Sequence, residues 1–113
     1  KKKKIMIVGL SYKEGTSTTR QSDSIKLAKW LKKNMYNFYL HDPNVIQLPK
    51  LLKDNHIVNL EDQIPKIDIF IFLYTQTKFK DFDKKIIKFR KNKRTMLYDP
   101  CHIFRKNKKI IYL

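Results

Sequence analysis

Short apolar blocks alternate with longer polar stretches, and this alternation constrains the fold of the chain more than any other feature. Five blocks have the composition of strands, and they cover residues 4–10, 37–41, 67–74, 95–99 and 109–113. The first is a nearly continuous apolar run that reaches Gly9, and the third is rich in β-branched and aromatic residues. Runs of this kind are typical of strands that are buried in a parallel sheet.

Helical spacing appears between these blocks. Ser22 or Ser24 can cap a first helix, whose apolar positions are Ile25, Leu27, Ala28, Trp30, Leu31 and Met35. A second amphipathic helix is indicated by the spacing of Phe79, Phe82, Ile86 and Phe89. A weaker helical patch covers residues 48–52, and residues 57–58 are a short apolar segment. We expect the aromatic residues of the third block and of the second helix to lie in the core.

Strands that alternate with helices predict a three-layer, Rossmann-like α/β domain with a mainly parallel sheet of about five strands. Because no repeat or linker interrupts the pattern, we expect residues 1–113 to form one such domain. In these sheets a ligand binds at the carboxyl ends of the strands, beside the point where the strand order reverses. The loops that follow the strands are therefore where functional residues are expected.

The charge balance narrows the class of ligand. The chain has 26 Lys and Arg residues against 10 Asp and Glu residues, which gives a net charge of +16. This excess favours anionic ligands and raises a basic module that binds nucleic acid or another polyanion as an alternative. However, the lysines are spread over the whole chain, and no nucleic-acid-reading motif accompanies them.

Length and termini suggest that the chain is part of something larger. A chain of 113 residues that begins with Lys1 instead of Met is small for a complete dinucleotide-dependent enzyme, so we expect a segment cut from a longer protein.

The longest apolar block is too short to cross a bilayer, and no membrane partner is expected. The single cysteine, Cys101, excludes an internal disulfide and suits the cytoplasm.

The loop after the first strand carries the groups that bind anions. A dinucleotide-binding turn would show Gly-x-Gly-x-x-Gly, but here Gly9 stands alone and the next glycine is Gly15. Residues 9–22 instead contain Lys13, Arg20, several hydroxyl groups and, at the end, a helix N-terminus. Each of these can bind a phosphate. From the residues alone, an ordinary solvent-exposed loop with scattered basic residues is an equal alternative.

This segment resembles the opening of the C-terminal domain of the UDP-glucose/GDP-mannose dehydrogenase family. In that family a strand ending in Gly is followed by Phe-Lys, then Thr, and then Arg-x-Ser at a helix start. The similarity continues through His41-Asp42-Pro43, residues 67–75 and the late strand at Asp99, and it spans nearly the whole chain in order. Residues 1–43 are its specific part.

The resemblance implies a role for each matching position. Lys13 takes the place of the lysine that reaches the UDP-sugar, and Tyr12 replaces the preceding Phe as an aromatic ring. Arg20 matches the arginine that lies by the cofactor when the domains close. Thr16 and Ser22 would belong to the phosphate loop.

The resemblance also implies what this chain lacks. Family members oxidise a sugar 6-hydroxyl twice with NAD, through a thiohemiacetal on a catalytic cysteine. NAD is held mainly by the N-terminal domain, and the catalytic cysteine and its lysine belong to earlier domains, so this chain is not catalytic alone. Its implied partners are the UDP-sugar, the preceding NAD-binding and central domains, and, in full-length form, further copies of the enzyme.

Two stretches depart from the family pattern. The Asp-rich turn that family members have before Arg-x-Ser is replaced by Ser17-Thr18-Thr19, and their usual Asp-Gly-Arg after the late strand reads Asp99-Pro100-Cys101. Either Arg105 replaces the missing arginine, or nucleotide-sugar binding is weakened or redirected.

The cysteine and the histidines do not form a recognisable catalytic or metal site. Cys101 follows a proline and has no His/Asn set spaced to activate it, so we do not expect a nucleophile there. His41, His56 and His102 lack metal-ligand spacing. A receiver-like or flavodoxin-like interaction domain would share the element pattern, but a receiver needs an acidic cluster where Lys2, Lys3 and Lys4 stand.

Overall fold

A computed structural model shows the fold and describes residues 3–10, 22–42, 48–57, 62–74, 79, 81–90, 95–100, 104 and 110–112. Within these ranges the strands are β1 (Ile5–Val8), β2 (Phe38–His41), β3 (Ile69–Ile71), β4 (Met96–Tyr98) and β5 (Ile111–Tyr112). The helices are α1 (Asp23–Lys33) and α2 (Phe82–Arg90), and two 3₁₀ helices cover Lys50–Asn55 and Ile64–Lys66.

The five strands form one sheet in the order β2-β1-β3-β4-β5, and all four pairings are parallel. Beyond β2, the N–H of Ile57 donates to the carbonyl of Leu40 at 2.8 Å, and His56 bridges to Leu40 in parallel. This bridge is a rudimentary strand, and counting it gives the 3-2-1-4-5-6 order of a Rossmann sheet. The strand order reverses between β1 and β3, so a crevice for a ligand is expected beside β1.

Two apolar layers cover the two faces of the sheet. Side chains alternate along β1, so that Ile5 and Ile7 lie with α1 while Met6 and Val8 lie with α2. All four are buried, as expected for a central parallel strand. The predicted three-layer α/β domain with a five-stranded parallel sheet is therefore confirmed.

The aromatic residues fill the α2 side of the core. Phe70, Phe72, Phe79 and Phe82 are buried. Phe72 makes edge-to-face contacts with the rings of Phe79, Phe82 and Phe104, at centroid distances of 5.8, 5.2 and 4.9 Å. Such contacts add to the burial of aromatic surface. The predicted core role of these residues is confirmed, and Phe89 is partly buried against the same cluster.

The first helix is capped by Ser22, whose hydroxyl accepts a hydrogen bond from the N–H of Ile25. Its buried face contains Ile25, Ala28 and Leu31, as the spacing predicts. Trp30 and Met35, which the spacing places among the apolar positions of this helix, are instead 53% and 83% exposed. Trp30 falls on the opposite side of the helix from Ile25 and Ala28, and Met35 lies beyond the last helical residue with a φ of 62°.

Candidate functional site at the carboxyl edge of the sheet

Gly9 directly follows β1, beside the point where the strand order reverses. Its N–H donates to the carbonyl of His41 at 2.9 Å, and its φ is +93°, a conformation that favours glycine. A Cβ at this position would stand 3.0 Å from the ring of Phe79 and 3.6 Å from the carbonyl oxygen of Tyr74. The backbone therefore leaves β1 in close contact with the segment that follows β3.

A buried carboxylate joins the ends of β1 and β2. Asp42 is 3% exposed, and its Oδ2 accepts a hydrogen bond of 2.8 Å from the backbone N–H of Leu10. Dinucleotide-binding sheets place an acidic residue near this strand end to bind a ribose hydroxyl. Here the carboxylate of Asp42 is buried and accepts its hydrogen bond from within the protein. Together with the missing Gly-x-Gly-x-x-Gly turn, this means that the described residues do not fit a dinucleotide site.

The N-terminus of α1 is attached to the same edge. The hydroxyl of Ser24 is buried and donates to the carbonyl of Gly9 at 2.7 Å. The N–H of Asp23 donates to the hydroxyl of Tyr74, which follows β3. The segments that follow β1 and β3 therefore meet the start of α1. The N-terminus of α1 brings a partial positive charge to this edge of the sheet.

His41 lies at the end of β2, beside Asp42. Its Nδ1 is 2.9 Å from the carbonyl oxygen of Ile57. Burial lowers the pKa of His41 below its ordinary value, although the hydrogen bond to Ile57 and the charge of Asp42 oppose this shift. The neutral ring is therefore favoured, with Nδ1 as the donor to Ile57.

The structure brings together the two ends of the predicted phosphate loop. Because Ser24 reaches Gly9, the described residues leave off at Leu10 and return at Ser22 at the same carboxyl edge of the sheet. Ser22 lies at the return point as the buried cap of α1. Tyr12, Lys13, Thr16 and Arg20 lie outside the described residues, and so do Cys101, His102 and Arg105. Their assigned roles stay predictions.

Sequence reasoning did not identify three residues that build this edge: Ser24 as a contact of Gly9, Asp42 as a buried acceptor, and Tyr74 as a partner of α1. A carboxylate directly after a strand is a signal that could have found Asp42. Within the described ranges, no group of three or more His, Cys, Asp or Glu side chains could hold a metal ion.

The family follows from the sequence match. Residues 6–106 match the model of the UDP-binding domain of the UDP-glucose/GDP-mannose dehydrogenase family. The chain belongs to this family. Membership confirms the resemblance seen in residues 9–22 and 41–43, and it favours the UDP-binding domain over the polyanion-binding module that the charge suggested. No curated protein matches the sequence.

Solved structures of family enzymes share the fold. An NDP-N-acetyl-D-galactosaminuronic acid dehydrogenase from Methanosarcina mazei Go1 is 18% identical with a TM-score of 0.77, over 98% of this chain and 24% of the other. A UDP-D-ManNAc dehydrogenase from Pyrococcus horikoshii is 22% identical with a TM-score of 0.74, over 97% and 24%. The UDP-N-acetyl-mannosamine dehydrogenase Cap5O from S. aureus is 17% identical with a TM-score of 0.74, over 96% and 25%. The chain spans about a quarter of each of these proteins.

Proposed function

We propose that this chain binds the UDP-sugar in an NAD-dependent UDP-sugar 6-dehydrogenase and acts only together with NAD-binding and central domains. This proposal rests on the contact between Ser24 and Gly9, which holds both ends of the loop at the carboxyl edge of the sheet. It also rests on the match of the chain to the family's UDP-binding domain. In Rossmann-like sheets this edge, beside the reversal of strand order, is where a nucleotide binds.

The proposed binding mode follows from charge. Lys13 would place an ammonium group on the diphosphate, and the hydroxyl of Thr16 would donate a hydrogen bond to it. Ser22 would hold the end of this phosphate loop in place as the cap of α1. Tyr12 would supply an aromatic surface to the substrate. Arg20 would adjoin the NAD that another domain holds, since this chain has no dinucleotide turn of its own. The domain would then close over the sugar nucleotide from the side opposite the NAD-binding domain.

A titration tests the substrate role. UDP-glucose is titrated calorimetrically into the wild-type chain, into Lys13→Ala, and into Lys33→Ala. Lys33 is an exposed lysine at the far end of α1, so its variant matches the change in charge. Lys13→Ala should weaken binding about tenfold or more, because a hydrogen bond from a charged group contributes roughly 1.5–3 kcal/mol. Lys33→Ala should leave the affinity unchanged.

Two results would overturn the proposal. The first is equal affinity of wild type and Lys13→Ala for UDP-glucose. The second is an absence of UDP-glucose binding together with tight, salt-sensitive binding to random duplex DNA, which would favour the polyanion module.

The role of Arg20 is tested in a complete enzyme. Arg20→Ala should lower kcat more than it raises KM for the nucleotide sugar, because the guanidinium is proposed to lie by the cofactor and not by the UDP. A rise in KM with kcat unchanged would place Arg20 on the substrate instead.

A further inference from the structure

Apolar side chains protrude at the C-terminal end of α1. Trp30 is 53% exposed and Met35 is 83% exposed. The ring of Trp30 stacks on the ring of Tyr36, with centroids 5.6 Å apart and an interplanar angle of 27°. We name Trp30, Met35 and Tyr36 the Trp30 surface. Exposed apolar groups that lie together form the kind of surface at which proteins make contacts.

The backbone holds Met35 outward at a conformational cost. The N–H of Met35 donates to the carbonyl of Lys32 at 3.2 Å, and the N–H of Tyr36 donates to the carbonyl of Leu31 at 3.0 Å. This is the Schellman ending of a helix, in which the left-handed residue is usually glycine. Met35 occupies that place with a φ of 62°. Glycine at this position would remove both the strain and the exposed apolar surface.

Cations surround Trp30 on the outward face of α1. Lys26 and Lys33 stand four residues before and three residues after Trp30, which are the neighbouring positions on a helix, and both are exposed. Lys29 is exposed on the same side. Lys32 is directed elsewhere, since its Nζ donates to Asn55 at 3.0 Å. The Nζ of Lys26 also lies 3.9 Å from a carboxylate oxygen of the exposed Asp23, which offsets part of its charge. The Trp30 surface is thus apolar at its centre, and Lys29 and Lys33 supply most of the positive charge at its rim.

We propose that the Trp30 surface docks onto the surface of an anionic membrane. Its apolar groups protrude instead of lining a groove, and Trp is enriched where a bilayer meets water. Lysines beside an interfacial apolar group are attracted by anionic headgroups. A second copy of the chain is disfavoured because two surfaces rimmed by lysine repel each other. Three side chains also fall far short of the about 800 Å² per partner of a stable protein interface.

This contact requires no spanning segment. None of the helices in the described ranges is long and apolar enough to cross a membrane, and the sequence-based expectation of no membrane partner rested on spanning segments alone. Because α1 starts beside Gly9 at the carboxyl edge, its last turn lies at the opposite end of the domain. Docking there leaves the proposed UDP-sugar site facing away from the membrane, so the two proposals can fail separately.

The test uses the fluorescence of Trp30, the single tryptophan of the chain. Vesicles of phosphatidylcholine with about one third phosphatidylglycerol are added to the protein at physiological salt, with and without UDP. We expect a blue shift of the emission and quenching by brominated acyl chains, both independent of UDP. Vesicles of pure phosphatidylcholine should cause little change, because the lysines then have no anionic headgroups to attract them.

Variants distinguish insertion of the apolar side chains into the bilayer from a general electrostatic attraction to it. Met35→Gly should raise the thermal midpoint and reduce the blue shift, so its effect on binding cannot come from misfolding. Lys33→Glu should weaken vesicle binding about tenfold or more, because one cation near an anionic surface contributes roughly a factor of five and the reversal counts twice. Lys84→Glu makes the same change of charge on α2, where Lys84 is exposed and pairs with exposed Asp81, and it should weaken binding far less.

Three results would overturn the proposal. Vesicle binding without a shift in Trp30 emission would mean adsorption by net charge only. Equal losses of vesicle affinity in Lys33→Glu and Lys84→Glu would also mean adsorption by net charge only. A shift in Trp30 emission with polyglutamate or duplex DNA, but none with vesicles, would assign the surface to a soluble polyanion instead.

Discussion

The buried carboxylate of Asp42 accepts a 2.8 Å hydrogen bond from the backbone N–H of Leu10, which lies 32 positions earlier in the chain. This bond connects the residues that follow β1 and β2, and it fixes the start of the proposed phosphate loop relative to the neighbouring strand. The site is therefore organised by a polar contact inside the protein as well as by the groups that face a ligand.

Removing this carboxylate should destabilise the fold. Asp42→Ala leaves the N–H of Leu10 buried without its acceptor, and we expect a loss of about 2–3 kcal/mol in the free energy of unfolding. Urea denaturation measures it. Asp54→Ala, which removes an exposed carboxylate from the Lys50–Asn55 helix, should change stability by less than about 0.5 kcal/mol. Similar values for the two variants would show that the bond from Leu10 is not important.

Gly9 should not tolerate a side chain. Gly9→Ala places a methyl group 3.0 Å from the ring of Phe79 at a φ of +93°, and we expect a loss of about 2–3 kcal/mol from strain and contact together. In Gly9→Ala/Phe79→Leu the steric part is relieved. The double variant should therefore lose about 1 kcal/mol less than the sum of the single variants, as measured by denaturation of all four proteins. Strict additivity would contradict the contact.

The stability of the domain should fall as pH is lowered past neutrality, in part because of His41. The pKa of His41 is lowered in the folded state, so protons bind more readily to the unfolded chain. Its contribution is complete above the unfolded pKa of about 6.5 and is lost as pH falls from there through the folded pKa. NMR titration should show the ring of His41 titrating below 6.5. His41→Asn should reduce the slope of stability between pH 7 and pH 5, and an unchanged slope would contradict this assignment.

Restoring the arginine of the family pattern should strengthen substrate binding. We expect Pro100→Gly/Cys101→Arg to bind UDP-glucose about tenfold more tightly than wild type, because a guanidinium near a phosphate adds charge-assisted hydrogen bonds. Calorimetry compares it with Pro100→Gly/Cys101→Leu, which changes the backbone equally without a charge. If the arginine adds no affinity while Arg105→Ala weakens binding, Arg105 already supplies the missing charge.

The strands were predictable because each is marked by apolar residues, but their ends were not. The block of residues 67–74 contains a strand of only three residues, Ile69–Ile71. Ile67 and Phe72 are fully buried outside it. The apolar composition of a block therefore predicts which residues are buried. Which of them pair in the sheet also depends on where the neighbouring strand begins and ends. Met35 shows the converse, since it continues the helical spacing after the backbone has left the helix at Asn34.

The candidate site was predictable as a place and only in part as a set of residues. A loop between a strand and a capped helix in an α/β pattern indicates the carboxyl edge, and Ser22 was one of the two candidate caps, with Ser24. The bonds from Leu10 to Asp42 and from Asp23 to Tyr74 join positions 32 and 51 apart. No local pattern encodes such pairs, because they depend on how the strands are ordered in the sheet.

The central place of β1 affects how the domain is made. Ile5 pairs with Phe38 on one side and with Ile69 on the other, so β1 is synthesised before both of the strands that pair with it. Until residue 71 has been synthesised, a wholly apolar strand has an unpaired side, which is a template for association with other nascent chains. Slow translation through residues 42–68 would lengthen this exposure, and a chaperone that shields short apolar strands would be needed most during that interval.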